Sequence, residues 1–186
     1  MKKRFFSCVV MVTLMVFLSV GSAFAADEAG KNFISNKVGV GYQGMVAGSF
    51  LNGISVRGWI GDRVGLEGSA FLGRADLQAG STDIKGDLWQ IEAKAMYALV
   101  VRNYSKFYAG GKIGYGQVDG SVPGDKFDNK GFWTPGVFVG AEWSFPQLPE
   151  VGFNFDVGYS GMIYDNNDLK INIDGVNATF GIHYYF

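Results

Sequence analysis

The chain has 186 residues, of which 28 are glycine and only four are proline, and 16% of its residues are aromatic. This length corresponds to one domain, and the aromatic content favours strands over helices. At 18%, the charged fraction is low for a soluble domain and too high for a bundle of membrane helices.

The amino-terminal segment has the three parts of a secretory signal peptide. Residues 2–4 are basic, residues 5–20 are apolar, and residues 23–25 read Ala-Phe-Ala, a small-x-small cleavage site. We therefore predict a signal peptide over residues 1–25, removed by cleavage after Ala25. An uncleaved membrane anchor is the alternative, which the short apolar run disfavours.

Removing this segment changes the chemistry of the chain. The single cysteine, Cys8, is lost, so we expect no disulfide in the mature protein. Three of the 16 Lys and Arg residues are lost while all 17 Asp and Glu remain, so the formal charge changes from −1 to about −4. A net negative charge argues against a nucleic-acid-binding protein.

The mature chain begins with a short polar lead, residues 26–35, and the rest, residues 36–186, has apolar residues at every second position. No segment keeps the 3.6-residue period of an amphipathic helix. The alternation predicts eight strands, at residues 36–46, 54–60, 64–73, 87–100, 107–117, 132–144, 151–163 and 176–186.

Short and long connections alternate between these strands. The short ones are residues 61–63, 102–106 and 145–150, and the long polar ones are residues 74–86, 118–131 and 164–175. A further connection, residues 48–53, is short but belongs with the long ones. We therefore expect short turns on one rim of a barrel, with both chain ends, and long loops on the other rim.

The two faces of the predicted strands differ in chemistry. One face is apolar and carries no charge, whereas the other carries glycines and charged residues. The charged side chains predicted to share a barrel lumen are Arg57, Glu67, Glu92, Lys94, Lys112, Glu142 and Asp156. Alternation alone also fits a secreted barrel similar to lipocalins, in which the apolar face would point inward.

Two features favour an apolar face that points outward. The glycines of the polar face suit the crowded interior of an eight-stranded barrel, whereas glycine on a solvent face would only weaken the strands. Large aromatic residues of the apolar face gather near the strand ends, as in the girdles at membrane interfaces. The predicted girdle residues are Trp89, Tyr115, Trp133 and Tyr159 at the long-loop rim, and Phe107 and Trp143 at the short-turn rim.

The carboxyl terminus, Ala-Thr-Phe-Gly-Ile-His-Tyr-Tyr-Phe, places four residues on the apolar face: Phe180, Ile182, Tyr184 and Phe186. This ending resembles the eight-stranded bacterial outer-membrane barrels, a family similar to the OmpA transmembrane domain and OmpX. The resemblance implies an all-β, eight-stranded antiparallel up-and-down transmembrane barrel in the Gram-negative cell envelope. It also implies that the four residues form a signal read by the outer-membrane assembly machinery.

Three positive and four negative side chains in one lumen admit two interpretations. Isolated buried charges are costly, so they should pair across the barrel. A filled, salt-bridged plug is favoured because the interior of an eight-stranded barrel is narrow enough for side chains to fill. The alternative is a narrow ion channel.

Other patterns predict no catalytic, cofactor or metal site. Residues 39–44 match G-x-G-x-x-G, but no helix follows, as a dinucleotide site would require. His183, the only histidine, could make the chain similar to lipid A-modifying outer-membrane enzymes, but it lacks a His-x-Ser pattern and faces inward at the short-turn end. The acidic stretch 165–168 is followed by Leu169 and Lys170, where a calcium loop needs an oxygen ligand and glycine. Weak divalent-ion contacts with lipopolysaccharide phosphates remain an alternative.

The functional prediction is a monomeric, non-enzymatic barrel in the outer membrane with a structural or adhesion-like role. Its long loops would present contacts outward, because interaction sites on rigid scaffolds concentrate in loops. Expected partners are outer-membrane lipid and lipopolysaccharide, the assembly machinery and an extracellular surface partner, without nucleic acid. A narrow ion channel and a lipid A-modifying enzyme are the alternatives.

Overall fold

The computed structural model describes the backbone of residues 32–47, 51–79, 82–122, 125–166 and 169–186, and the side chains of residues 32–46, 51–74, 86–118, 131–163 and 172–186. The predicted signal peptide and most of the polar lead therefore lie outside the described residues. Within those residues, no helix is long and apolar enough to span a membrane.

The described chain forms a single antiparallel sheet that closes on itself. Apart from the sixth and seventh, each strand pairs with the next along the chain, and the first strand also pairs with the last. The ring confirms the predicted all-β, up-and-down antiparallel barrel. The strands are β1 (Val38–Ala47), β2 (Asn52–Ile60), β3 (Val64–Ala79), β4 (Thr82–Arg102), β5 (Ser105–Val122), β6 (Asp125–Trp133), β7 (Gly136–Phe145), β8 (Leu148–Asn166) and β9 (Leu169–Tyr185).

Nine segments make eight strands around the ring because the sixth strand is interrupted. Both β6 and β7 pair with β5 on one side and with β8 on the other. The break falls at Thr134 and Pro135, inside the stretch 132–144 that was predicted as one strand. Proline has no N–H to donate to the ladder, although the Pro135 carbonyl still accepts a hydrogen bond from the Gly161 N–H at 3.0 Å.

The three long connections are not the loops that the sequence predicted. Strand pairing continues to Ala79 with Thr82, to Val122 with Asp125 and to Asn166 with Leu169. The prediction of loops over 74–86, 118–131 and 164–175 is therefore wrong, and these segments are hairpins. Every residue except proline can take part in such a ladder through its backbone N–H and C=O groups, so a polar composition does not by itself end a strand.

These hairpins define the two ends of the barrel. The long-hairpin rim carries the three hairpins, whose tips at 80–81, 123–124 and 167–168 lie outside the described residues, together with the connection between β1 and β2. The short-turn rim carries the turns at residues 61–63, 103–104 and 146–147 and the carboxyl terminus. The first turn uses Gly61 at φ 61°, a left-handed conformation that glycine adopts without steric cost.

Side-chain burial alternates along the strands with the expected period of two. Outward side chains such as Val40, Ile91 and Val137 are exposed, whereas their sequence neighbours are buried or partly buried. The apolar core lies inside the ring near the short-turn rim. It consists of Ile34, Trp59, Met96, Ala98, Tyr108, Phe138 and Tyr185.

The end of the polar lead is folded into the short-turn mouth. The Asn32 side-chain amide donates to the Arg102 and Ser105 carbonyls at 2.5 and 3.3 Å, and the Phe33 N–H donates to the Asn103 carbonyl at 3.1 Å. Ile34 is buried in the core. The sequence showed a polar segment here but not that it closes one end of the barrel.

Candidate functional site: the barrel lumen

Arg57 on β2 stands at the centre of the lumen and is fully buried. It forms a close ion pair with Glu67 on β3, and its guanidinium also lies 3.4 Å from a Glu142 oxygen on β7 and 3.8 Å from an Asp156 oxygen on β8. One cation thus links strands from three parts of the ring. A buried charge is tolerated only when it is paired and hydrogen-bonded in this way.

Lys94 on β4 continues the network towards the long-hairpin rim. Its Nζ lies 2.8 Å from Asp156 Oδ2, 3.0 Å from Glu67 Oε1 and 3.9 Å from Glu92 Oε1. Lys112 Nζ lies 3.2 Å from Glu92 Oε2. The structure therefore brings all seven predicted luminal charges into one connected network.

Three aromatic side chains in this network were missed by the sequence reasoning. The Tyr108 hydroxyl donates to Asp156 Oδ1 at 2.6 Å and accepts from Arg57 at 3.0 Å. The Trp59 indole and the Tyr185 hydroxyl donate to the two Glu142 oxygens at 2.8 and 2.5 Å. The signal was present, because Trp59 stands two positions after Arg57, and alternate residues of a strand share a face.

Lys106 and the lead form a second polar cluster at the short-turn mouth. Lys106 Nζ donates to Ser35 Oγ at 3.1 Å and to the Asp62 carbonyl at 3.0 Å, and Ser35 Oγ makes a short hydrogen bond to the Asp62 carboxylate. The Lys106 ammonium also lies 4.2 Å from the centre of the Trp59 ring, a cation–π contact. This lysine was assigned to a turn, whereas it is the second residue of β5 and points into the lumen.

His183 faces the lumen, as predicted, and is fully buried. Its Nε2 lies 2.7 Å from Ser55 Oγ, a contact that the spacing of the two residues in the chain did not reveal. Its Nδ1 has no hydrogen-bond partner among the described residues. A nucleophilic serine needs a histidine oriented by a third group and a reachable substrate, and this buried pair has neither in the described part of the barrel.

A cavity of about 300 Å³ opens in the lumen at the long-hairpin rim. Its floor includes Glu92 and Lys112, so the charge network closes it from below. Its walls are largely apolar and include Met45, Leu88 and Met162. Among the described side chains, the lumen is therefore filled near the short-turn rim and holds a cavity near the other rim.

The glycine pattern of the first strand is explained by strand pairing, and the acidic stretch is not tested. Residues 39–44, which match G-x-G-x-x-G, lie in β1 and pair with both β2 and β9, so their backbone groups serve the sheet. The described side chains include no group of three His, Cys, Asp or Glu residues that could hold a metal ion. The stretch 165–168 lies outside the described side chains.

The closed antiparallel ring, with exposed apolar side chains outside and paired charges inside, agrees with a sequence-family model. A model of the outer membrane protein β-barrel domain matches residues 10–186. The chain belongs to this family. The predicted location in the bacterial outer membrane is thereby confirmed.

One solved structure shares the fold, and two others align less closely. The amino-terminal barrel domain of Pseudomonas aeruginosa OprF aligns with a TM-score of 0.53 at 15% identity, over 82% of this chain and 98% of that one. Ail, the attachment invasion locus protein of Yersinia pestis, gives 0.45 at 17% identity over 81% and 97%. Neisserial surface protein A gives 0.46 at 20% identity over 81% and 95%. No curated protein sequence matches this chain.

The predicted girdle residues of the outer-membrane barrel lie on its outer face near both rims. At the long-hairpin rim, the Tyr115 ring lies 6.0 Å from the Trp89 ring and 5.1 Å from the Trp133 ring, and Tyr159 is exposed nearby. At the other rim, Trp143 stacks on Phe153 with ring centres 6.2 Å apart, and Phe107 is partly exposed. That these side chains mark the two lipid interfaces stays a prediction.

Three of the four terminal residues lie on the outward face of β9, and Phe186 directly follows that strand. Ile182 pairs with Tyr42 on β1 and with Phe153 on β8, and Tyr184 pairs with Val40 and Val151. Phe180 and Phe186 are exposed on the same face. The terminal strand thus closes the ring, and its recognition by the assembly machinery stays a prediction.

Proposed function

We propose that this outer-membrane barrel is a closed scaffold that acts through its projecting hairpins, in a structural or adhesion-like role and without enzymatic activity. The observation that supports it is the cross-linked, buried centre of the lumen. Arg57 and Glu142 have no exposed surface, and their partners lie on strands around the ring. An ion would have to separate these pairs in order to pass.

The end of the polar lead, at residues 32–35, obstructs the lumen at a second place. Asn32 and Ile34 are buried in the short-turn mouth, below the network. A solute would therefore have to displace both the lead and the charge network. This supports a plugged lumen over a narrow ion channel.

In this proposal the three long hairpins are the parts of the scaffold that project outside the membrane. The first continues beyond the exposed ion pair of Arg74 with Asp87, whose Nε–Oδ1 distance is 2.8 Å. Loops held by a rigid scaffold are where interaction sites concentrate. The partners we propose are lipopolysaccharide and an extracellular surface, with the assembly machinery recognising the terminal strand and the barrel acting as a monomer.

Shortened hairpins test the adhesive role. Residues 75–86, 119–129 and 165–170 are replaced, singly and together, by Asn-Gly, which forms tight hairpin turns. Cells displaying each variant are scored for attachment to epithelial cells and to one another. We expect the triple variant to keep its heat-modifiable gel mobility and outer-membrane location but to lose attachment. Wild-type attachment by the triple variant would contradict the proposal.

Two assays examine the alternatives. In planar bilayers we expect no conductance steps, whereas conductance that Glu92→Gln or Lys94→Met abolishes would support an ion channel. Lipid A from expressing cells should show the same acylation with the wild-type protein and with His183→Ala. A change in acylation that depends on His183 would support an enzyme.

A further inference from the structure

The cavity at the long-hairpin rim is a closed-ended pocket. Its volume of about 300 Å³ lies at the lower end of the range for small-molecule sites. Glu92 and Lys112 form its floor, and beneath them Lys94 is held by Glu67 and Asp156. A molecule that enters from the rim therefore stops at this floor, so the cavity has the form of a binding site.

The walls of this pocket suit an apolar body. Leu51, Leu88 and Phe132 line one part, and Met162, Ile173 and Val176 line another. Because Met45 also lines the cavity, two flexible, polarizable methionines are available to adapt to the shape of a ligand.

The floor carries a carboxylate that is paired with lysines but accepts no hydrogen bond from a described residue. Glu92 is only 4% exposed, and neither of its carboxylate oxygens accepts a hydrogen bond within the described chain. Lys112 lies 3.2 Å away and also donates to Asn177, while Lys94 is 3.9 Å away and has shorter contacts to Asp156 and Glu67. An ionised carboxylate accepts several hydrogen bonds, so a ligand that brings N–H groups would complete this site.

The charge balance favours a cation over an anion. The charged residues that line the cavity are Glu92, Asp174 and Lys112, which leave one net negative charge. Below the floor, the network holds two further cations, Arg57 and Lys94, against three carboxylates, those of Glu67, Glu142 and Asp156, so it too is net negative. An anion would face this excess, whereas a cation would reduce it.

We propose that this cavity binds a small amphipathic amine, with its ammonium group on Glu92 and its apolar body against the methionine, leucine and isoleucine walls. The proposal does not depend on what the hairpins contact, because its residues lie within the mouth of the barrel. It assigns the open half of the lumen a ligand class that the outer-membrane fold does not by itself imply.

Methionine methyl groups report on this site directly. The chain after residue 25 has three methionines, of which Met45 and Met162 line the cavity while Met96 is buried in the core near the other rim. The barrel is labelled with ¹³C-methyl methionine in lipid nanodiscs and titrated with cyclohexylmethylamine, cyclohexylmethanol and cyclohexanecarboxylate. We expect only the amine to shift Met45 and Met162 saturably, with Met96 unchanged. Glu92→Gln should weaken binding about tenfold or more, since hydrogen bonds to charged groups are strong.

A second pair of variants keeps the test decisive if Glu92→Gln does not fold. A Cβ added at Gly175, which lines the cavity, meets no atom within 4 Å, and the same holds at Gly68 on the outer face. Gly175→Leu should fill the cavity and abolish amine binding, while Gly68→Leu should bind as the wild type does. Equal shifts with all three compounds, preference for the carboxylate, no shift with the amine, or amine binding retained in Gly175→Leu would each overturn the proposal.

Discussion

The two halves of the lumen are built by the same strands but are filled differently. Near the short-turn rim, Tyr108 and Phe138 occupy the interior, and a Cβ added at Gly140 would lie 2.6 Å from the Tyr108 ring. Near the long-hairpin rim, a Cβ added at Gly175 would meet nothing within 4 Å. The missing side chain of Gly140 therefore makes room for the Tyr108 ring, whereas that of Gly175 leaves open space. Because the same strands form both halves, the size of the inward side chains determines whether a section of the lumen is filled or holds a cavity.

The largest loss of stability is expected from removing Arg57, which lies where the two halves of the lumen meet. Arg57→Met would leave Glu67, Glu142 and Asp156 buried without their shared cation, at a cost of about 3–5 kcal/mol in the free energy of unfolding. Arg74→Met is the matched control, because its ion pair with Asp87 is exposed and should contribute about 0–1 kcal/mol. Urea unfolding of the barrel in lipid vesicles measures both. Equal losses would show that the buried network is not central to stability.

Replacing a methionine by alanine in each half of the lumen should show that the filled half contributes more to stability than the half with the cavity. Met96→Ala removes a fully packed side chain and should cost about 2–5 kcal/mol. Met162→Ala changes a partly exposed cavity wall and should cost about 1 kcal/mol or less, because fewer packed contacts are lost. Unfolding midpoints in the same vesicles give the comparison. A larger loss for Met162 would mean that the cavity half is the better-packed one.

The end of the polar lead should contribute to the stability of the filled half of the lumen. Ile34→Ala is expected to cost about 2 kcal/mol, the lower end for a buried isoleucine. Phe33→Ala, at a partly exposed neighbour, is the control and should cost less. Hydrogen exchange at the Phe33 and Lys37 amides, which bond the Asn103 and Ile34 carbonyls, should become faster in Ile34→Ala. Unchanged exchange would indicate that the lead is not held by its buried side chain.

The smallest effect is expected from a single hydroxyl in the network. Tyr108→Phe keeps the ring but removes hydrogen bonds to Asp156 and from Arg57, at a cost of about 1–2 kcal/mol. Tyr159→Phe, on the lipid face, should be close to neutral. Urea unfolding again reports the difference. Equal effects would show that the Tyr108 hydroxyl adds nothing beyond its ring.

Much of the fold was predictable because a strand has a period of two. That period separated Arg57 and Glu142 from their apolar neighbours, and it would also have placed Trp59 and Tyr185 inward had it been applied to aromatic residues. Pro135 is visible in the sequence, but the sequence did not show that the strand is interrupted there. The continued hairpins were not predictable from side-chain chemistry, since backbone pairing sustains them.

The open half of the lumen was beyond sequence reasoning. Glu92 and Lys112 were predicted to face inward, but nothing in their spacing showed that Glu92 would lack a hydrogen-bond donor beside an apolar wall. The contact of Ser55 with His183 joins residues 128 positions apart. Such contacts depend on how far the strands stagger when the ring closes.

The sequence by itself determined that the chain forms alternating strands, which of their two faces carries charge, and that three positive and four negative side chains share the inner face. It did so because alternation is a local property of extended backbone. Only the tertiary structure decided which inward groups meet, as Arg57 meets Glu142 across 85 positions of the chain. Ring closure sets those distances, and with them which half of the lumen is filled and which half is left open to a ligand.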